Sequence, residues 1–373
     1  MNSVAGVFKN MFKQVSKSKQ NLMCRNNYLD VAKGMALFLV VLGHLVRARG
    51  TVFTWIFSFH MMLFFFISGY VFDSDKYVRY DFWKYFEKKV NNILIPFAII
   101  CTIGWISCFV VPAFRGEGNH ITDLLLYYAQ PENLHVGQSW FLICLFWTEI
   151  SFFILYKNVF CKVNFSTVFF ITILISIIGF NMNKVTLLNY NRIPWKLDSA
   201  ITALVFYIAG YYVKKIDIFN ILFRYKILSA VLMVIFGAYG FYVSVYKNGY
   251  VNICDCQYGD YFYFYLAAFC GIAFILILSK FCENITVLQY YGRNTLWMFS
   301  IHSFLLYFSV YVLNLLTHKQ YAMMQNIPVI YCFIMAVLIY LVLGFVPSVV
   351  NLCVILKNKC ILVFNKSINA YRG

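Results

Sequence analysis

The sequence predicts an all-α protein, a polytopic bundle of transmembrane helices, and three observations lead to this prediction. Of its 373 residues, 62% are hydrophobic and only 12% are charged, whereas soluble domains are about half apolar and a quarter charged. Phe, Tyr and Trp make up 20% of the chain, which suits side chains that lie in lipid or at its surface. Apolar runs of about 20 residues, the length that crosses a bilayer, recur throughout.

About ten such runs define the predicted spans. They lie near 28–47, 53–72, 93–114, 139–157, 166–182, 197–213, 226–246, 261–280, 295–316 and 328–356. We therefore expect one transmembrane domain, 28–356, which follows a basic cytoplasmic or interfacial segment, 1–27, and precedes a basic cytoplasmic tail, 357–373.

The net charge of +17 is distributed unevenly among the loops. Basic residues are concentrated in every second loop, for example five between residues 76 and 92. By the positive-inside rule these loops and both termini are predicted to be cytoplasmic. The same 76–92 segment is rich in aromatic residues, which suits a helix in the lipid headgroup layer. Because the basic residues lie between apolar runs, we expect membrane lipids, and no nucleic acid, as partners.

The twelve cysteines mostly lie within apolar runs, where cysteine acts as a small hydrophobic residue. Only Cys254 and Cys256 form a close pair, and no further metal ligands flank it. We therefore expect no metal site, and we assign this pair no structural role.

The first span carries three residues that are costly in hydrocarbon, Asp30, Lys33 and His44. Asp or Lys at mid-membrane costs roughly 2.5–3.5 kcal/mol. Asp30 and Lys33 are three positions apart, so they can neutralise each other. Lys33 and His44 are eleven apart, which returns them to nearly the same helix face at a separation of about 16 Å. The span thus has an ion pair near its cytoplasmic end and an imidazole near its outer end.

The second span runs inward and begins near His60. A short loop joins the two spans, so His44 and His60 are predicted to lie at similar depth. Two imidazoles there can activate a hydroxyl and orient its partner. The alternative is a pair of interfacial histidines that bond to backbone or water.

Two further polar residues interrupt later spans, Glu149 and His302. Glu149 lies in mid-span, so it must face the bundle interior or an aqueous cavity. Its role is either a structural hydrogen bond between helices or a part in catalysis. His302 falls in the cytoplasmic half of the ninth predicted span, and its role is likewise open.

Several motifs resemble the acyltransferase 3 family of membrane acyltransferases. The family has a basic residue, ten intervening residues and a His, a pattern met by Lys33 and His44. Residues 59–70 are similar to its Phe-His-Met-Pro-Leu-Phe-Phe motif followed by Ser-Gly-Tyr, with Met62 in place of Pro. Residues 88–97 and 139–142 are similar to its entries to the third and fourth spans.

One departure concerns the third span, where family members often carry Arg-x-x-Arg. Here Lys88 and Lys89 precede Asn91 and Asn92, so the second basic position is missing. The branch that the chain resembles is that of stand-alone sugar acetylases, such as fucose O-acetylase-like proteins.

The resemblance implies an integral O-acyltransferase of the bacterial inner membrane. Acetyl would pass from cytoplasmic acetyl-CoA to a hydroxyl of a surface polysaccharide or lipid-linked glycan, without a metal. His44 would act as general base or carry the acetyl group transiently. The implied sites are catalytic His44, Lys33, His60 and Asp30, donor-binding Lys88 and Lys89, and substrate-binding Trp140, Glu149 and His302.

The main alternative is a transporter or exporter of a glycan or lipid precursor. About ten spans with buried Lys, Glu and His also describe a proton-coupled carrier. Against this alternative, the sequence has no internal inverted repeat and no matching pair of broken helices.

Overall fold

The computed structural model describes residues 26–110, 124–125, 128–129, 139–184 and 193–352. Most of the predicted N-terminal segment and the whole predicted tail lie outside the described residues. Within those residues the chain is almost entirely helical and has no strand; one isolated antiparallel bridge joins Asn252 and Gln257. The all-α prediction is therefore confirmed for this part of the chain.

The α-helices, in chain order, are α1 (Asn27–Gly43), α2 (Thr51–Phe57), α3 (His60–Tyr70), α4 (Ser74–Tyr77), α5 (Phe82–Lys89), α6 (Ile95–Val110), α7 (Trp140–Leu155), α8 (Phe165–Phe180), α9 (Leu197–Ile216), α10 (Ile218–Phe223), α11 (Lys226–Tyr242), α12 (Tyr261–Phe281), α13 (Thr286–Arg293), α14 (Thr295–Thr317) and α15 (Val329–Leu343). Short π-helical segments continue three of them, at Val90–Leu94, Tyr156–Phe160 and Val243–Asn248.

Eight helical segments among the described residues are long and apolar enough to cross a membrane. They correspond to eight of the ten predicted spans. The other two predictions, 28–47 and 197–213, become α1 and α9. Helix α1 has only 17 residues, or about 25 Å, and α9 carries Asp198 near one end and two lysines near the other. A multi-pass membrane bundle is confirmed, while the exact count and the cytoplasmic termini stay predictions.

The centre of the bundle is formed by α1, α3 and α9, whose residues are mostly buried. Helices α3 and α9 cross at Gly69 and Gly210. A Cβ on Gly69 would clash with the carbonyl group of Tyr207, and a Cβ on Gly210 would clash with that of Phe66. Small residues at such a crossing let two membrane helices pack backbone to backbone.

The helix ends predicted to be cytoplasmic meet one another. Tyr28 of α1 donates a hydrogen bond to Tyr70 of α3 at 3.0 Å, and the Lys280 ammonium lies 5.8 Å from the Tyr28 ring centre. Lys157, which follows α7, donates to the Tyr80 carbonyl at 2.5 Å. These contacts give the bundle one end that carries the basic loops.

Helices α5 and α6 form one long segment with a π-helical turn, Val90–Leu94, between them. The cause is Pro96, which has no N–H for an α-helical bond and whose ring would clash with the carbonyl of Asn92. The wider turn instead bonds the Ile95 amide to the Val90 carbonyl. This turn directly follows Lys88 and Lys89, so it sets where their side chains point.

Candidate active site

Three buried histidines from three different helices come together, and we call them the histidine cluster: His44, His60 and His302. His44 directly follows α1, His60 begins α3 and His302 lies in α14. The ring centres of His44 and His302 are 5.5 Å apart. The centre of the Phe57 ring lies 6.0 Å from that of His44 and 4.8 Å from that of His60, so Phe57 connects these two histidines.

Backbone carbonyls fix the protonation of two of these rings. The Nδ1 atom of His60 is 2.7 Å from the Ile56 carbonyl oxygen, and that of His302 bonds to the Phe299 carbonyl. Because a carbonyl only accepts, each Nδ1 must carry hydrogen, so in the neutral ring each Nε2 has a lone pair. The buried Nε2 of His302 has no hydrogen-bond partner within the described part of the chain. The cluster therefore presents ring nitrogens with lone pairs in the buried interior of the bundle.

The prediction that His44 and His60 lie at similar depth is confirmed by their shared neighbour Phe57. The sequence placed His302 in the cytoplasmic half of the ninth span and His44 near the outer end of the first, yet their rings are adjacent. Helix α1 rises about 21 Å from Asp30 to His44, while α14 rises about 12 Å from Asn294 to His302. The rings meet because the two helices are offset or inclined, which residue counting from a span's end does not reveal.

A second charged group lies at the other end of α1, and we call it the carboxylate clamp: Asp30, Lys33 and Arg293. The predicted pair is present, with 3.8 Å between Lys33 Nζ and Asp30 Oδ1. Arg293 adds an unpredicted bond, with its Nε 3.3 Å from Asp30 Oδ2. The Lys33 and Arg293 side chains remain 24% and 31% exposed. Two cations around one carboxylate leave a net charge of +1 near the surface.

The clamp forms because α13 packs antiparallel against the start of α1. A Cβ on Gly292 would clash with the Asp30 carbonyl group, so only glycine permits this approach. Arg293 also donates to Gln289 Oε1 at 2.9 Å and to Asn27 Oδ1 at 3.3 Å. Gly292 and Arg293 lie just before a span, and this Gly-Arg pair is the sequence signal from which the contact could have been identified.

Lys88 and Lys89 both lie over the Tyr77 ring, at 4.5 and 5.9 Å from its centre, but they bond to different partners. Lys89 forms an ion pair with Glu149, and the two side chains are only 11% and 10% exposed. Lys88 donates to the Tyr77 hydroxyl at 2.6 Å and lies 4.5 Å from the centre of that ring. Lys89 is therefore already paired within the protein. The donor-binding role of the two lysines stays a prediction.

Glu149 and Trp140 were both predicted to contact substrate. Glu149 faces the bundle interior, as expected, and Lys89 is the partner that the sequence did not identify. Trp140 is buried at the start of α7, next to Phe141. It is Phe141 that approaches the histidine cluster, since its ring lies 5.0 Å from Phe299, itself 5.1 Å from His302. Substrate contact by Trp140 and Glu149 stays a prediction.

The geometry combines bases at one end of α1 with an anion-attracting group at the other. From Lys33 to His44 the helix rises about 16 Å. Buried imidazoles with a bare nitrogen suit proton transfer, and an arginine beside a lysine suits binding of phosphate or carboxylate. Within the described ranges no three His, Cys, Asp or Glu side chains are grouped as ligands for a metal ion.

Two comparisons with known proteins bear on this site. The family profile described as "Acyltransferase domain" (Acyl_transf_3) matches residues 26–350, which include the cluster and the clamp. Nodulation protein NolL of Mesorhizobium japonicum is 30% identical over 145 residues, 36% of this chain and 35% of the relative. NolL of Sinorhizobium fredii is 32% identical over 143 residues, 36% of each chain. The matched part thus spans about a third of these curated relatives. The extent of the profile match shows that this multi-pass membrane protein belongs to the acyltransferase 3 family, as its motifs predicted.

Proposed function

We propose that the protein is an O-acetyltransferase that moves acetyl from cytoplasmic acetyl-CoA to a hydroxyl of a surface polysaccharide or lipid-linked glycan. Its place would be the bacterial inner membrane. The observation that carries the proposal is the pairing of the histidine cluster with the carboxylate clamp at opposite ends of α1. Membership of an acyltransferase family supports the reaction class.

The donor end of this proposal is the carboxylate clamp. Coenzyme A is anionic, and Arg293 and Lys33 are partly exposed cations held beside one carboxylate. Arginine offers two parallel donors to a phosphate, and lysine adds a point charge. The rise of about 16 Å from Lys33 to His44 is on the scale of the pantetheine arm. Lys88 and Lys89 remain candidates for the same phosphates, but Lys89 would first have to leave Glu149.

The reaction end is the histidine cluster. His44 takes the proton from the acceptor hydroxyl as that oxygen bonds to the thioester carbonyl carbon. The carbon–sulfur bond then breaks, and the sulfur leaves as thiolate or takes the proton back from the imidazolium. In the alternative route the His44 nitrogen attacks the thioester carbon and the carbon–sulfur bond breaks, releasing the CoA thiolate. The acceptor hydroxyl then attacks the acetyl carbon, the carbon–nitrogen bond to His44 breaks, and the hydroxyl proton passes to the imidazole nitrogen or to the thiolate. His60 and His302 hold their Nδ1 atoms on backbone carbonyls, so their Nε2 atoms can orient His44 or the hydroxyl.

The test uses purified protein, acetyl-labelled CoA and surface glycan from the producing cells from which ester groups have been removed by mild alkali. We expect label in the glycan, and mass spectrometry of glycan from cells with and without the gene should differ by one acetyl group per modified site. Glycan that takes up no label and shows no mass difference would refute the proposal. Export of glycan without acetyl transfer would favour the transporter alternative.

A further inference from the structure

The approach to α9 has an unusual backbone. Trp195 and Lys196, the two residues before α9, have φ angles of 60° and 54°. This left-handed region is unfavourable for residues other than glycine, and two in succession are rarer still. Such strain persists only where the surrounding structure imposes it, and it is concentrated at functional sites.

The segment 253–256 holds this strained backbone in place. The buried Lys196 donates from Nζ to the Cys254 carbonyl at 3.2 Å. Ser199 donates from Oγ to the Ile253 carbonyl at 2.8 Å, and the same oxygen lies 3.6 Å from Cys256 Sγ. The sequence assigned no role to the Cys254–Cys256 pair. In the structure the pair belongs to the segment that holds the residues before α9 by hydrogen bonds.

The strained backbone presents the Trp195 ring to a second tryptophan. The ring centres of Trp195 and Trp147 are 6.4 Å apart and the planes are inclined by 55°. Both side chains are partly exposed. The indole nitrogen of Trp147 is buried and has no hydrogen-bond partner within the described ranges. An indole N–H can only donate, so this group needs an acceptor that a ligand can supply.

We propose that Trp147 and Trp195 form the subsite for a sugar ring of the acceptor glycan, an inference that rests on the proposed function. A sugar offers apolar C–H faces to aromatic rings and oxygen atoms to the Trp147 N–H. A lipid tail would cover the rings but would leave the N–H without an acceptor. Trp147 is six residues, about 9 Å, along α7 from Phe141, which reaches the histidine cluster through Phe299. The proposed subsite and the contact to the histidine cluster thus lie on the same helix, α7.

The adenine of the donor is the competing occupant, since it also stacks on tryptophan. One contact favours the glycan. Trp195 lies just before α9, and the last turn of α9 carries Lys214. Lys214 Nζ donates to the Phe72 carbonyl at 3.2 Å, at the end of the bundle with the basic loops. Trp195 thus lies toward the opposite end from the partly exposed cations of the carboxylate clamp.

The test compares Trp147→Phe with Trp55→Phe, a matched change at a partly exposed tryptophan whose ring neighbours are Phe59, Phe241 and Phe274. Phenylalanine keeps an aromatic ring but removes the N–H. With alkali-treated surface glycan as acceptor, we expect Trp147→Phe to raise the glycan concentration for half-maximal rate about tenfold. The half-saturating acetyl-CoA concentration should not change, and Trp55→Phe should change neither. Trp195→Gly should weaken glycan use as well, because glycine adopts this backbone freely while the ring is lost.

Binding of the same glycan to immobilised protein without donor gives a second measurement, which does not depend on transfer. Weaker binding by Trp147→Phe than by Trp55→Phe supports the subsite even if acetyl transfer fails, in which case only the proposed reaction is refuted. Equal glycan binding by wild type and both variants overturns the subsite. A change confined to the half-saturating acetyl-CoA concentration would also overturn the subsite, because the two tryptophans would then bind the donor.

Discussion

The Lys89–Glu149 pair allows a sharp test, because both side chains are about nine-tenths buried. Glu149→Gln removes one charge and leaves the Lys89 ammonium uncompensated inside the bundle. Breaking a buried pair in this way costs about 3–5 kcal/mol, whereas replacing both charges by neutral groups is close to neutral. We therefore expect Glu149→Gln and Lys89→Met each to lose about 3–5 kcal/mol, and the double variant to regain most of that loss.

The assay is unfolding in detergent, with the surface pair Lys280 and Glu283 as control. Those side chains lie 2.6 Å apart but are 35% and 33% exposed, so Glu283→Gln should cost only about 0–1 kcal/mol. A double variant as unstable as either single variant would refute the reasoning. The acetyl-CoA concentration for half-maximal rate, measured on the double variant, then separates two roles for Lys89. If the pair is only structural, this concentration stays near the wild-type value. If Lys89 contacts the donor phosphates, it rises.

Three further predictions follow from the cluster, the clamp and the topology. His44→Ala should lower acetyl transfer about 100- to 10,000-fold while acetyl-CoA binding survives, and His44→Asn should be nearly as inactive; substantial turnover would move the base to His60. Arg293→Ala should raise the acetyl-CoA concentration for half-maximal rate about tenfold with a smaller effect on the maximal rate; an unchanged constant would place the phosphates elsewhere. Reporter fusions at residue 125 and at the C-terminus should lie on opposite sides of the membrane, and a shared side would contradict the ten-span topology.

Much of the bundle could be predicted because lipid imposes a simple rule on composition. A run of about 20 apolar residues can be recognised in a single sequence, since its length reflects the thickness of the bilayer. The exceptions are informative. Helices α1 and α9 are two of the three central helices, and each carries a buried aspartate, Asp30 or Asp198. Polar residues that serve contacts between helices thus weaken the apolar signal of α1 and α9, whereas the central helix α3 keeps it.

The site was predictable only in part. The energetic cost of a polar group in lipid identifies individual residues, but it does not identify the residues that they contact. Asp30, His44, His60, Glu149 and His302 all drew attention as polar groups within apolar runs. The Asp30–Lys33 contact was also foreseen, since three residues on one helix fix its geometry. The partners from other helices were not foreseen, because helix offset and inclination depend on packing details such as the contact of Gly292 with Asp30.

Arg293 and Lys89 show why the positive-inside rule conceals part of such a site. The rule counts basic residues beside spans and takes no account of depth. Arg293 lies next to a span, yet it bonds to Asp30 of α1. Lys89 belongs to the segment predicted as an interfacial helix, yet it pairs with Glu149 inside the bundle. Asp30 and Glu149, two carboxylates within spans, thus each pair with a basic residue that the sequence assigns to a loop. Some of the charges from which the orientation is predicted therefore also build the candidate site.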